Sequence, residues 1–253
     1  MSSHIDSIDV SPTHVVLGLS NLEGNIWDGS LKLFARIHHP DDGFSLEEVA
    51  TQRSSAGVSM CRFAGHGREY VVAARDDGHI AIYFSTSLDR AASYCAHDDI
   101  VSAIAVNPSE PNQFASCSWD GSIKVWDLSC GDEKGPHLVA HIKHAHYKHI
   151  NDIAYHPQNS SLLCSCGQDG FIRLWDLQSD HLLDSECLCI YNLHQSLSCI
   201  CWDKVNYTNE GIGGIGESAN IFVGTDAGDI ITIDLKFDNT GAPLIIFRPK
   251  HTF

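Results

Sequence analysis

Five histidines, His137, His141, His144, His146 and His149, crowd one short stretch at spacings that could ligate a metal. No cysteine or paired carboxylate completes a tetrahedral set there, so no zinc site is expected. Of ten cysteines, Cys164 and Cys166, and Cys199 and Cys201, stand two apart inside apolar segments. Side chains two apart on a strand share a face, which predicts buried free thiols rather than disulfides. No C-x-x-C pair occurs to suggest a zinc ribbon or redox site. Gly211 to Gly216 lacks the G-K-[ST] ending of a phosphate loop and reads as a flexible insertion. Asn159-Ser-Ser161 and Asn206-Tyr-Thr208 match a glycosylation sequon, but the N-terminus lacks the basic and apolar regions of a secretory signal. Neither a G-x-S-x-G elbow nor an H-E-x-x-H helix is present. No cofactor and no enzymatic activity are expected.

The elements that must position these residues are repeats. Phe114 to Leu128 reads FASCSWDGSIKVWDL, and Leu163 to Leu177 reads LCSCGQDGFIRLWDL. Each holds a strand, an Asp-Gly turn and a second strand ending in Trp-Asp; Asp-Gly favours the positive φ of a tight hairpin. Weaker copies run from Asp28 to Phe34, from Asp77 to Phe84 and from Ala227 to Leu235. The turn glycines Gly29, Gly78, Gly121, Gly170 and Gly228 are spaced by 49, 43, 49 and 58 residues. The longest interval holds an insertion, Asn206 to Ser218. Upstream, His97 to Pro108 aligns without gaps on His146 to Pro157, and His194 to Lys204 is a shorter third copy.

A histidine, a strand, a turn and a strand ending in Trp-Asp is the signature of the WD repeat, whose unit is four strands in about 40–45 residues. The resemblance implies an all-β, WD-repeat β-propeller: one domain over 1–253, with repeats near 14–34, 57–84, 97–128, 146–177 and 194–235 and a tail at 236–253. In WD repeats a His, a Ser or Thr, an Asp and a Trp form a hydrogen-bonded set within a blade. By position these are His97, Ser116, Asp120 and Trp126, then His146, Ser165, Asp169 and Trp175. Buried Trp, Asp and His polar atoms all need partners, so a structural role is expected for all eight. Stacked blades bury each other's faces, and function then falls to the rims and the channel.

Two stretches resemble a narrower family. VLGLSNLEGNIWDGSLKLF, from Val16 to Phe34, and AHDDIVS, from Ala96 to Ser102, are similar to methylosome WD-repeat proteins. Asp41 to Phe44 also fits. The resemblance implies a non-catalytic scaffold bound to the protein arginine methyltransferase that makes symmetric dimethylarginine. In that family a first-blade tryptophan plugs a pocket on the methyltransferase; the matching position is Trp27, with Asn25 a weaker interface candidate. A Trp seated in a pocket contributes about 2–4 kcal/mol to an interface. The alternative for Trp27 is a core-capping role, since Trp119 holds the equivalent place before Asp120-Gly121.

The net charge of −16 disfavours nucleic acid as a direct partner and suits basic tails. The expected partners are therefore the methyltransferase and basic Arg/Gly-rich substrates such as histones and spliceosomal proteins, in a hetero-oligomer of cytoplasm and nucleus. No apolar run approaches the roughly 18–20 residues that would cross a bilayer. The alternative is an adaptor of another complex, such as a ubiquitin ligase. Seven blades are usual in the family and five are recognisable here. Leu244 to Phe247 offers one further strand. The expectation is thus an incomplete ring, either an open arc or one with an irregular sixth blade, and marginal stability in isolation.

Overall fold

A computed structural model describes residues 4–23, 26–39, 43–132, 135–177, 187–203, 218–237 and 243–247. Asn25, Asn206 to Thr208 and the Gly211 to Gly216 loop lie outside these residues. The described residues form twenty strands and no helix; none of them forms a helix long and apolar enough to cross a membrane.

The strands make five antiparallel four-stranded sheets, each in chain order. The first holds β1 (His4–Val10), β2 (His14–Glu23), β3 (Ile26–His38) and β4 (Phe44–Ser54). The second holds β5 (Val58–Ala64), β6 (Tyr70–Arg75), β7 (His79–Phe84) and β8 (Arg90–Cys95). The third holds β9 (Val101–Val106), β10 (Gln113–Ser118), β11 (Ile123–Asp132) and β12 (Gly135–Ile142). The fourth holds β13 (Ile150–Tyr155), β14 (Leu162–Gly167), β15 (Phe171–Asp176) and β16 (Cys189–Asn192). The fifth holds β17 (Leu197–Trp202), β18 (Ser218–Thr225), β19 (Ile230–Phe237) and β20 (Pro243–Phe247).

A four-stranded sheet has two faces to bury, so the sheets stack. β1, β5, β9, β13 and β17 are the innermost strands, and each packs on the next. The core is therefore divided into layers. Val16, Leu31, Leu33 and Cys61 fill the first, Val72, Ile80, Ile104 and Phe114 the second. Ile123, Ile150, Leu163 and Trp175 fill the third, Cys164, Ile172, Ile200 and Trp202 the fourth. Among the described residues no comparable layer joins the first sheet to the fifth.

Four features depart from the sequence reading, the last of them at Gly29. The strand at Pro243–Phe247 pairs with β19 as the outer strand of the fifth sheet and does not begin a sixth. The outer strands of every sheet fall outside or at the margin of the sequence repeats. They carry mixed polar and apolar residues, and β4, β8 and β12 are partly exposed, so no sharp pattern marks them. Cys199 and Cys201 do share a face, as expected, but that face of β17 is exposed, because no sheet among the described residues covers it. Cys164 and Cys166 are buried where the fifth sheet packs on the fourth.

Gly78, Gly121, Gly170 and Gly228 take φ between +79 and +91 in the central hairpins, where a side chain would strain the backbone. Gly29 is different. The β2–β3 ladder does not turn at Asp28-Gly29 but continues through Asn21 with Asp28 and Leu22 with Trp27 to Glu23 with Ile26. Asp28 accepts a cross-strand bond from Asn21 Nδ2 at 3.1 Å instead of capping a turn. Gly29 serves close approach: a Cβ there would sit 2.6 Å from the carbonyl oxygens of both Ala56 and Leu19.

Candidate protein-interaction rim

In the third sheet, Trp126 Nε1 donates to Ser116 Oγ at 2.9 Å, and Ser116 Oγ lies 2.8 Å from His97 Nε2. His97 Nδ1 lies 3.0 Å from Asp120 Oδ2. The fourth sheet repeats the chain. Trp175 Nε1 donates to Ser165 Oγ at 2.9 Å, Ser165 Oγ is 2.7 Å from His146 Nε2, and His146 Nδ1 is 2.9 Å from Asp169 Oδ1. An indole N–H can only donate, so the serine hydroxyl accepts it and passes its own proton to Nε2. The ring's remaining proton, on Nδ1, then goes to the carboxylate. Each atom in the chain is satisfied once.

The titration directions fit this polarity. Burial holds the His146 imidazole below its usual range and so neutral. Burial pushes the Asp169 carboxyl up, but the bond from His146 and the N–H groups of Phe171 and Tyr147 outweigh it, leaving it at about 2. Asp120 is likewise pushed up by burial and brought well below the carboxylate range by His97 and Ser122.

Serine, histidine and aspartate in this order are also the nucleophile, base and orienter of a hydrolase. The environment excludes that use of these two sets. Ser116 and Ser165 are both 0% exposed, and each Oγ already takes an indole N–H, so no substrate carbonyl can approach. What the chain does is pin the central hairpin turn, which carries the Asp, to the loop that leads into the inner strand, which carries the His.

That pinning shapes one rim of the stack. In four sheets the residue before or at the turn donates its backbone N–H to the loop before the inner strand. The pairs are Asp76 with Gly57, Trp119 with Ile100, Gln168 with His149 and Asp226 with Ser196. Aromatic side chains stand on this rim. Trp119 stacks on His149, with centroids 4.5 Å apart and planes 5° apart. Tyr147 is exposed over the Arg173 guanidinium at 5.0 Å, with Phe171 on the same cation at 4.8 Å. The histidine-rich stretch is thus dispersed. His146 is in the buried chain, His149 is in the stack, and His137 and His141 are on β12. Among the described residues no group of three His, Cys, Asp or Glu side chains is placed to hold a metal.

Trp27 lies on the same rim, on the part of the first hairpin that continues past Gly29. It is 52% exposed, so it is not a core cap. Its Nε1 donates to Asp76 Oδ2 at 2.5 Å, across the boundary between the first and second sheets. Burial raises the Asp76 carboxyl from its ordinary value, tempered by that bond. Asp76 had no signal in sequence, because the pairing spans 49 residues. The channel side of the stack holds a cavity of about 520 Å3 lined by Asp9, Arg62, Asp152, Tyr155, Ile200 and Trp202.

Residues 89–127 and 138–176 match the WD40 family, described as WD domain, G-beta repeat. The chain folds as a WD-repeat β-propeller. Each matched unit starts at the outer strand of one sheet and ends in the third strand of the next, so the sequence repeat straddles two blades. A stretch of 52 residues is 42% identical to the mouse (Mus musculus) WD repeat-containing protein 75 and covers 21% of this chain. It spans 6% of that protein's length, and the likeness is one of repeats. WD40 repeats imply a protein-interaction scaffold within a complex.

Proposed function

We propose that this propeller is a non-catalytic adaptor of a protein arginine methyltransferase complex, gripping the enzyme through Trp27 and helping present basic Arg/Gly-rich substrates. Trp27 carries the reading. It is a large, half-exposed aromatic on a projecting hairpin. The bond to Asp76 fixes its ring nitrogen, so little side-chain freedom remains to be lost on binding. The resemblance of Val16 to Phe34 to methylosome WD-repeat proteins supplies the partner. The net charge of −16 supports attraction of basic tails, and that attraction weakens with salt. A cytoplasmic and nuclear location goes with this assignment.

Pull-down and calorimetry with the symmetric-dimethylating methyltransferase test it. A Trp anchor lost to alanine weakens binding by about 30-fold or more. Equal capture by wild type and Trp27→Ala removes Trp27 from the interface. No capture by either leaves the methyltransferase out and favours an adaptor of another complex.

A further inference from the structure

All five inner strands follow one plan. Each has a β-bulge near its start: between Ile5 and Ser7, Val58 and Met60, Val101 and Ala103, Ile150 and Asp152, and Leu197 and Cys199. The residue before the bulge faces the preceding sheet. Val58, Val101, Ile150 and Leu197 are at most 1% exposed there, while Ile5, at the same position of the first sheet, is 62% exposed. Ile8 and Val10 share its face and its exposure.

The opposite face of each sheet receives the following one. By register, Leu31, Ile80, Ile123, Ile172 and Ile230 hold equivalent places on the third strand. The first four are at most 4% exposed; Ile230, on the fifth sheet, is 51% exposed. The inner strand of the first sheet therefore shows solvent, through Ile5, Ile8 and Val10, the face that every other inner strand presses on the preceding sheet, while Leu19 and Val15 beside it are buried. The fifth sheet shows the face that every other sheet offers its successor.

A polar latch repeats in step. The bulged residue donates from its side chain to the first carbonyl of the next inner strand: Ser59 to Val101 at 2.5 Å, Ser102 to Ile150 at 2.6 Å and Asn151 to Leu197 at 2.6 Å. Ser198 is the bulged residue of β17, and its hydroxyl has no such acceptor among the described residues. The carbonyl that would match is that of Ile5.

We propose that the chain associates end to end, with the fifth sheet of one copy seated on the first sheet of a second copy. The contact is heterologous, one face meeting a different face, so it leaves a free face at each end of the pair. Ile5, Ile8 and Val10 of one copy cover Cys199, Cys201 and Ile230 of the other, and Ser198 Oγ donates to the Ile5 carbonyl. A second copy is the fitting occupant because the two uncovered faces are the two halves of the interface this chain already uses four times.

Light scattering and sedimentation velocity across a dilution series test this with two variants at exposed positions, Ile8→Asp and Ile230→Asp. Wild type is expected to gain mass with concentration. Each variant alone is expected to stay monomeric with an unchanged circular dichroism spectrum. Mixed one to one, the variants are expected to form dimers and nothing larger, since each retains the face the other lacks. Dimers in the mixture also prove that both variants fold. A wild type that is monomeric at every concentration, a variant that self-associates, or a mixture that stays monomeric overturns the proposal.

Discussion

The Trp27 indole N–H donates to the Asp76 carboxylate at 2.5 Å, joining the projecting hairpin of the first sheet to the central turn of the second. Asp76→Ala removes the acceptor and leaves the indole free to rotate. The expected result is a two- to tenfold weaker grip on the methyltransferase, from about 0.5–1.5 kcal/mol of side-chain ordering. That is a smaller loss than Trp27→Ala produces. Calorimetry on both variants orders the effects; an Asp76→Ala loss as large as the Trp27→Ala loss would mean that Asp76 itself meets the partner.

Ser165→Ala leaves two buried groups without partners, Trp175 Nε1–H and His146 Nε2. At about 1–3 kcal/mol for each, the variant loses about 2–6 kcal/mol. The melting temperature then falls by about 4–24 °C for a domain of this size. Ser116→Ala acts alike through Trp126 and His97. A melting temperature that does not move would show that the hydroxyl does not bridge the two rings.

Two groups along the inner strands set opposing pH responses. Burial raises the Asp152 carboxyl from 3.8 to about 6, despite N–H bonds from Ile200 and Ile153. Its stabilising contribution is present below pH 3.8 and is lost as pH rises through about 6. Burial lowers the His156 imidazole from 6.5 to about 4, so its contribution is present above 6.5 and lost as pH falls through about 4. Between these limits the two slopes oppose. Asp152→Asn removes one of them, so stability should rise more steeply from pH 4 to pH 6, by up to about 1.4 kcal/mol per pH unit. Urea unfolding at several pH values reads the slope. A slope unchanged by the substitution excludes Asp152 as the titrating group.

The turn glycines should differ in their tolerance of alanine. Gly228 has φ +91 and open space where a Cβ would stand, so Gly228→Ala meets only backbone strain of about 1–2 kcal/mol. Gly78 has φ +79, and a Cβ there would lie 2.4 Å from the His97 carbonyl oxygen, so Gly78→Ala adds a backbone clash. Thermal melts should place Gly78→Ala clearly below Gly228→Ala. Equal melts would mean that the His97 loop yields freely.

The blade was legible in the chain because its signals are local. Asp120-Gly121 and Asp169-Gly170 set positive-φ turns, alternation marks β11 and β15, and a fixed spacing links each His to its Ser, Asp and Trp. The same local logic misplaced the first turn. Asp28-Gly29 carries the dipeptide, yet its glycine answers the nearby Ala56 and Leu19 carbonyls and the ladder runs past it. The exposure of Cys199, Cys201 and Ile5 was not legible either, since nothing in an apolar residue states whether a neighbouring sheet covers it. The sequence by itself determined five repeats, four of their central hairpin turns and the buried His-Ser-Trp chains, because each depends on residues within one unit. Only the tertiary structure decided that Asp76 holds Trp27, that Pro243–Phe247 completes the fifth sheet, and that Ile5 and Ile230 are exposed where their equivalents are buried. Those depend on contacts between units, where burial is set by the stacking of sheets and not by the residues of either sheet alone.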